Sequence, residues 1–206
     1  MHSSSSANIT LRRFALSGHC HRVELFLSML GLPAKMIDVD LRKGEQRQPA
    51  FLALNGLGQV PVMQDGDVVL ADSNAILVYL ATKYGDESWL PRSPEEAARV
   101  QRFLSIAAGE LAKGPATARV IKLFGAPLDL AAAQAVTSRL FGMLEQHLSQ
   151  SPFLAGEQRT IADLANYTYI AHAHEGGISL DPYQNLRAWL ARVEALPGFI
   201  PMPAAA

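Results

Sequence analysis

Three short stretches carry side chains whose types and spacing suit the capture and activation of an anionic ligand. Ser17-Gly18-His19-Cys20 stands where a β-like run, residues 9–14, hands over to an apolar helical run closed by Gly31 and Pro33. A serine at that junction faces the uncommitted amides and partial positive charge of a helix start, a setting that favours a thiolate or another anion. Val60-Pro61 begins a later strand. A proline there loses no ladder bond, suits a cis peptide bond, and leaves the Val60 amide and carbonyl open to pair with an extended ligand as an added strand would. Asp72-Ser73 opens another helix, where backbone amides and a hydroxyl can hold a carboxylate while Asp72 takes an ammonium. Together the three describe a pocket for a short peptide bearing both charges.

Periodicity supplies the elements that must position these residues. Strands are predicted over residues 9–14 and 34–39, with a helix over 18–30 between them. A polar stretch, 42–48, leads to Pro49 and a short helix over 50–54. Residues 60–64 and 68–70 read as a hairpin about Asp65-Gly66, and a helix follows to residue 84. After a polar linker at 85–91, helices are predicted near 94–113, 129–150, 161–175 and 182–196. The first opens on Ser93-Pro94-Glu95-Glu96, the third on the capping box Thr160-Ile161-Ala162-Asp163, and Asp181-Pro182 is read as the cap of the last. Gly114-Pro115, Gly125-Ala126-Pro127 and Gly176-Gly177 are read as breaks. The class is therefore α/β followed by all-α, with a first domain over 8–84 and a helical second domain over 93–206.

Composition narrows the function. With 49% hydrophobic and 18% charged residues, the 206-residue chain has the apolar content of a folded protein. Its 18 basic and 19 acidic side chains leave a net charge of -1, so no global field gathers nucleic acid or an anionic membrane surface. Each apolar run is interrupted short of the roughly 18–20 residues that span a bilayer. The one cysteine, Cys20, excludes an internal disulfide framework and fits a reducing compartment, the cytoplasm by default. Residues 1–8, MHSSSSAN, lack the basic and apolar regions of a secretory leader.

The chain resembles the cytosolic glutathione S-transferases along nearly its whole length. The resemblance is carried by Ser17-x-x-Cys20, Asn55-Gly56-Leu57-Gly58-Gln59-Val60-Pro61, Ala71-Asp72-Ser73-Asn74-Ala75-Ile76, Phe153-Leu154-Ala155-Gly156 and Thr160-Ile161-Ala162-Asp163, in that order and spacing. It implies a thioredoxin-like N-terminal domain that binds glutathione as co-substrate, an all-helical domain that supplies most of the pocket for a small electrophile, a homodimer, and no metal. In this likeness Ser17 donates a hydrogen bond to the glutathione sulfur, and Val60 pairs with the cysteinyl backbone. Asp72 and Ser73 hold the γ-glutamyl end, while Gln59 and Gln46 reach the rest of the tripeptide. The family's tyrosine type places a phenol near the end of the first strand, where this chain reads Leu11-Arg12-Arg13-Phe14. The serine type is the better match, in the manner of theta-, delta- or zeta-like bacterial members. Thioredoxin relatives that exchange disulfides carry C-x-x-C at this junction; a serine hydroxyl cannot form a mixed disulfide.

Other readings of the same residues stay open at this point. Cys20, one turn into the helix, either packs as a small apolar thiol or replaces Ser17 as the catalytic group. Ser17 can be an N-cap alone. His19 and His21 flank Cys20, but one helical stretch cannot aim all three at one metal, and His19 is expected to line the pocket. His172 and His174, two apart, are expected on different helical faces, placing favourable charge at a helix C-terminus. Asp163 is read as a structural cap, and Trp189, Leu190 and Val193 as core. The electrophile pocket is expected along the loop after the first strand and the helix near 100–120. Conjugation of glutathione is the leading activity; the alternatives are glutathione-dependent reduction of peroxides or mixed disulfides, isomerisation, and a non-catalytic binding protein.

Overall fold

Alternation of buried Ile9 and Leu11 draws β1 (Ile9–Arg13) into the centre of a four-stranded sheet in the computed structural model, which describes residues 8–205. The strand order is β2-β1-β3-β4. Strand β2 (Ala34–Asp38) runs parallel to β1, and β3 (Val62–Asp65) and β4 (Val68–Ala71) form an antiparallel hairpin on its other side. The parallel pair requires a crossover, which α1 (Gly18–Met29) provides. Helix α2 (Pro49–Leu52) and a 3₁₀ turn (Glu45–Arg47) occupy the connection to β3, and α3 (Ser73–Tyr84) packs beside α1. This is the thioredoxin-like arrangement of a mixed sheet with helices.

The rest is helical: α4 (Pro94–Ile106), a π-helical segment (Ala107–Ala116), α5 (Thr117–Phe124), α6 (Leu130–Leu148), α7 (Ile161–Ala171) and α8 (Gln184–Glu194). Helix α7 is the central strut, buried on every side from Ile161 to Ile170, and it packs directly on α1. One apolar cluster therefore runs from the sheet through α1 and α7 to Trp189 on α8, with Phe26 of α1 lying edge-on to Trp89 at 4.9 Å. Trp189, Leu190 and Val193 are all in this core, as their spacing predicts. The Thr160 capping box forms; Asp163 is fully buried, its Oδ2 accepting from the Thr160 amide and its Oδ1 from the Leu154 amide and the Trp189 indole.

Several expectations are corrected. The hairpin turn is Gly66-Asp67, not Asp65-Gly66: Asp65 stays in β3 opposite Val68, because its carboxylate accepts from Tyr79, Lys83 and Tyr84 of α3. Gly114-Pro115 is not a break. The helix continues to Phe124 through the π-helical segment, whose wider turn absorbs the proline's missing N–H and ring. Gly114 serves another purpose, since a Cβ there would lie 2.9 Å from the Thr137 hydroxyl of α6. Helix α8 begins at Gln184 instead of after Asp181-Pro182, and its opening amides, Asn185 and Leu186, are held by the Glu145 carboxylate of α6. Helix α7 ends at Ala171, four residues early, and a 3₁₀ turn (Ala173–Gly176) brings His172, His174 and Glu175 within 4.8 Å rather than parting the histidines. The reading of residues 1–7 as free of a leader lies outside the described residues.

Candidate functional site

A cavity of about 670 Å³ opens between the loops at the sheet's edge and the π-helical segment and α5. That volume suits a small-molecule site, for which roughly 300–1,000 Å³ is usual. Ser17, Gln46, Gln59, Val60, Asp72 and Ser73 all line it. Residues from four separate loops thus meet at one place, as their types suggest.

Ser17 is the N-cap of α1. Its Oγ accepts from the Cys20 amide at 3.3 Å, and its carbonyl accepts from the His21 amide. The cap uses the hydroxyl as acceptor, which leaves its proton free to be donated into the cavity. Gly18 follows because the Tyr169 ring of α7 lies on the start of α1; a Cβ would sit 2.7 Å from the ring. Tyr169 also meets the His19 ring edge-on at 5.0 Å. Burial, helped by the nearby Arg22 cation, lowers the His19 pKa to about 3, so His19 lines the cavity as a neutral ring.

Cys20 is turned away from this cavity, with no exposed surface, and its sulfur accepts from the Phe14 amide at 3.4 Å. Burial pushes its thiol up to about 11, against the smaller opposing effect of its neighbours. A thiol so held is protonated at neutral pH and closed to substrate, which favours the packing role. His21 points elsewhere again: its Nδ1 lies 2.9 Å from the Thr168 hydroxyl and its Nε2 2.9 Å from the Ile200 carbonyl.

The other end of the cavity is built on α3. Asp72, its N-cap, has φ of +72°, a region that costs a non-glycine residue on the order of 1–3 kcal/mol. The kink aims the helix start at the cavity. Its Oδ1 accepts from both the Asn74 and Ala75 amides, leaving Oδ2 for a cation. Ser73 is buried, and its hydroxyl oxygen accepts from Arg22 Nη1 at 3.3 Å; the same nitrogen donates to Asn74 Oδ1 at 3.0 Å. Burial lowers the Arg22 pKa only to about 10, so a cation stands behind the amides of α3 and strengthens the site's pull on a carboxylate. Between the two ends, the 55–60 loop wraps around buried Asn55, whose side chain donates to the Gln59 carbonyl and accepts from the Leu57 amide. The Val60-Pro61 peptide bond is cis. Gln46 donates weakly to the Leu41 carbonyl, and its Oε1 has no partner among the described residues.

The remaining wall is apolar: Phe14 and Leu16 from the loop after β1, then Ala112, Ala116, Val120 and Phe124 from the long helix, with Leu128 beyond. The loop and helix are those the sequence points to, but the lining runs past residue 120. Three arginine and tyrosine contributions escape sequence reading, namely Arg22, Arg119 and Tyr169. Only their appearance within otherwise apolar helical runs hints at them.

Residues 16–83 match the family model described as glutathione S-transferase, N-terminal domain, and residues 125–197 match its C-terminal domain. Human glutathione S-transferase theta-2 is 33% identical over 187 residues, covering 85% of this chain and 76% of that protein. The chain belongs to the glutathione S-transferase family. Among solved structures, a glutathione S-transferase from Pseudomonas fluorescens superposes with a TM-score of 0.90 at 32% identity, covering 95% of this chain and 99% of that one. A glutathione transferase homologue from Drosophila mojavensis, solved with bound glutathione, superposes at 0.81 with 28% identity over 93% of this chain and 89% of its own. In this transferase fold, the cavity lies between the thioredoxin-like half and the helical half.

Proposed function

We propose that this glutathione transferase binds glutathione with its sulfur at Ser17 and its γ-glutamyl end at Asp72 and Ser73, and joins the sulfur to a small apolar electrophile. The carrying observation is that one cavity holds a donor hydroxyl at one helix start and a paired acidic and hydroxylated helix start at its other end. Ser73's amide and hydroxyl, backed by Arg22, donate to the γ-glutamyl carboxylate, while Asp72 Oδ2 accepts from the ammonium. Val60 pairs with the cysteinyl backbone, and Gln59 and Gln46 reach the glycyl part. Glutathione on the related fold from Drosophila mojavensis supports this reading.

The Ser17 hydroxyl donates to the sulfur and favours its charged form, lowering the thiol pKa, and the positive end of α1 adds to the effect. The proton leaves to water. The sulfur lone pair then forms a bond to the electrophilic carbon, whose bond to a leaving group such as chloride breaks; with an unsaturated carbonyl compound the C=C π pair moves toward the carbonyl instead, and the resulting enolate takes a proton from water. Holding both reactants in one cleft supplies the rest of the rate. The apolar wall from Phe14 to Phe124 faces the electrophile. Buried Cys20 takes no part, which disfavours mixed-disulfide chemistry.

A cytoplasmic homodimer belongs to the same reading. Sedimentation tests the dimer. Among the described residues no helix is long and apolar enough to cross a membrane. The function is tested by retention on immobilised glutathione and by turnover of a chloro-nitroaromatic: binding with turnover supports conjugation, binding without it a non-catalytic protein.

A further inference from the structure

We infer that Arg119 of α5 is a positioning residue for the Ser17 hydroxyl, an inference that rests on the role of Ser17 proposed above. The Arg119 side chain is 2% exposed, and its Nη1 donates to the Leu16 carbonyl at 2.6 Å. That carbonyl and the Ser17 N–H belong to one planar peptide unit. The Ser17 N–H in turn donates to the Phe14 carbonyl at 2.9 Å. With both ends of the unit held, its plane cannot tilt, and the Cα from which the hydroxyl projects is fixed. The Ser17 carbonyl, tied to the His21 amide, fixes the following peptide unit as well.

Two of these three ties are local and arise wherever β1 meets α1. The third comes from the helical half of the molecule, 103 positions along the chain. The chain invests in it: Arg119 Nε pairs with the Glu175 carboxylate, whose other oxygen accepts from the Ala205 amide. Burial pushes the Glu175 carboxyl up, but the Arg119 bond and charge and the Ala205 amide outweigh it and hold the group below its ordinary value, so the carboxylate stays charged. Gly176 lets this turn press on α5, since a Cβ there would lie 3.0 Å from the Arg119 amide nitrogen. The last nitrogen, Nη2, is closed to solvent and has no partner among the described residues. Arg119 borders the cavity, but its guanidinium is enclosed and tied at Nε and Nη1, so it acts through the Leu16 carbonyl. The helical half thereby shapes the electrophile wall and also sets how well the hydroxyl meets the sulfur.

The experiment titrates the ultraviolet absorbance of the thiolate of bound glutathione, alongside steady-state rates with a chloro-dinitroaromatic, in wild type, Arg119→Met, Arg119→Lys, Ser17→Ala and Ser17→Ala/Arg119→Met. Arg119→Met is expected to raise the thiol pKa by about one unit and lower kcat about tenfold, with KM for glutathione within about threefold, because the clamps at Asp72 and Val60 are untouched. Arg119→Lys, which keeps one donor for Leu16, falls between. The double variant is no worse than Ser17→Ala, as expected of residues acting through one hydroxyl. A wild-type thiol pKa and kcat in Arg119→Met with only a lower unfolding midpoint overturns the inference, as do losses that multiply with those of Ser17→Ala. Should Arg119→Met not fold, Arg119→Lys gives the same reading: a wild-type thiol pKa overturns it. An unchanged thiol pKa in Ser17→Ala alone defeats the Ser17 assignment instead; an Arg119 effect persisting in that background then shows that Arg119 acts by another route.

Discussion

Ser17 Oγ accepts the Cys20 amide at 3.3 Å, so the two residues that compete for the catalytic role are joined in one helix cap, the hydroxyl at the cavity and the thiol in the core. The hydroxyl's lone pair serves the helix, and in the proposed role its proton serves the ligand. Replacing Ser17 by alanine removes a hydrogen bond to a charged sulfur, worth about 1.5–3 kcal/mol, and is expected to lower kcat/KM about 10- to 100-fold. Cys20→Ala keeps activity within about threefold and costs on the order of 1–2 kcal/mol of stability through lost packing. Kinetics of the two variants side by side check this; a larger rate loss in Cys20→Ala contradicts it.

At the other end, charge and capping can be separated. Asp72→Asn keeps a side-chain oxygen for the Asn74 and Ala75 amides and, as asparagine, tolerates the positive φ. It loses the partner proposed for the ligand ammonium, so the Kd for glutathione is expected to rise about tenfold, roughly 1.4 kcal/mol, with little change in the unfolding midpoint. Calorimetric titration and a denaturation curve read both quantities.

Asp163 is a structural group. Its carboxylate serves the Leu154 and Thr160 amides and the Trp189 indole, all buried. Burial pushes its pKa up, against the hydrogen bonds that favour the charged form. Asp163→Ala strands three donors at about 1–3 kcal/mol each, so a loss of at least about 3 kcal/mol is expected in urea unfolding. Asp163→Asn, which keeps one oxygen acceptor, loses less.

Buried His21 makes the fold acid-sensitive. Burial lowers its pKa to about 4, although the bond to the Ile200 carbonyl opposes the shift. The unfolded chain binds this proton near the ordinary histidine value of about 6.5, the folded chain near 4. Between those values the unfolded state holds more protons, so stability falls as pH drops through the window, by up to about 3 kcal/mol. His21→Gln is expected to be less stable at pH 7 yet to show a flatter dependence from about pH 6.5 to about 4; an unchanged slope in urea midpoints contradicts this.

Much of the site was legible because caps are local chemistry. Ser17, Asp72 and Thr160 advertise helix starts through residue type alone, and the β-α-β-α-β-β-α order follows from periodicity and turns. What the sequence hid depends on contacts between distant elements. Asp65 holds β3 one residue longer because α3 supplies three donors to its carboxylate. Pro115 signals a break, but the π-helical register and the close approach of α6 at Gly114 carry the helix through it. Arg22 and Arg119 carry no sequence signal of their roles, because their partners lie 51 and 103 positions away.

The role proposed for the Ser17 hydroxyl is to keep the glutathione sulfur ionised. Its most direct measurement is the pKa of the bound thiol in wild type, Ser17→Ala and Cys20→Ala, read from thiolate absorbance against pH. The expected result is a pKa well below that of free glutathione in wild type and Cys20→Ala, raised by about one to two units in Ser17→Ala. An unshifted pKa in Ser17→Ala, or a rise in Cys20→Ala alone, contradicts it.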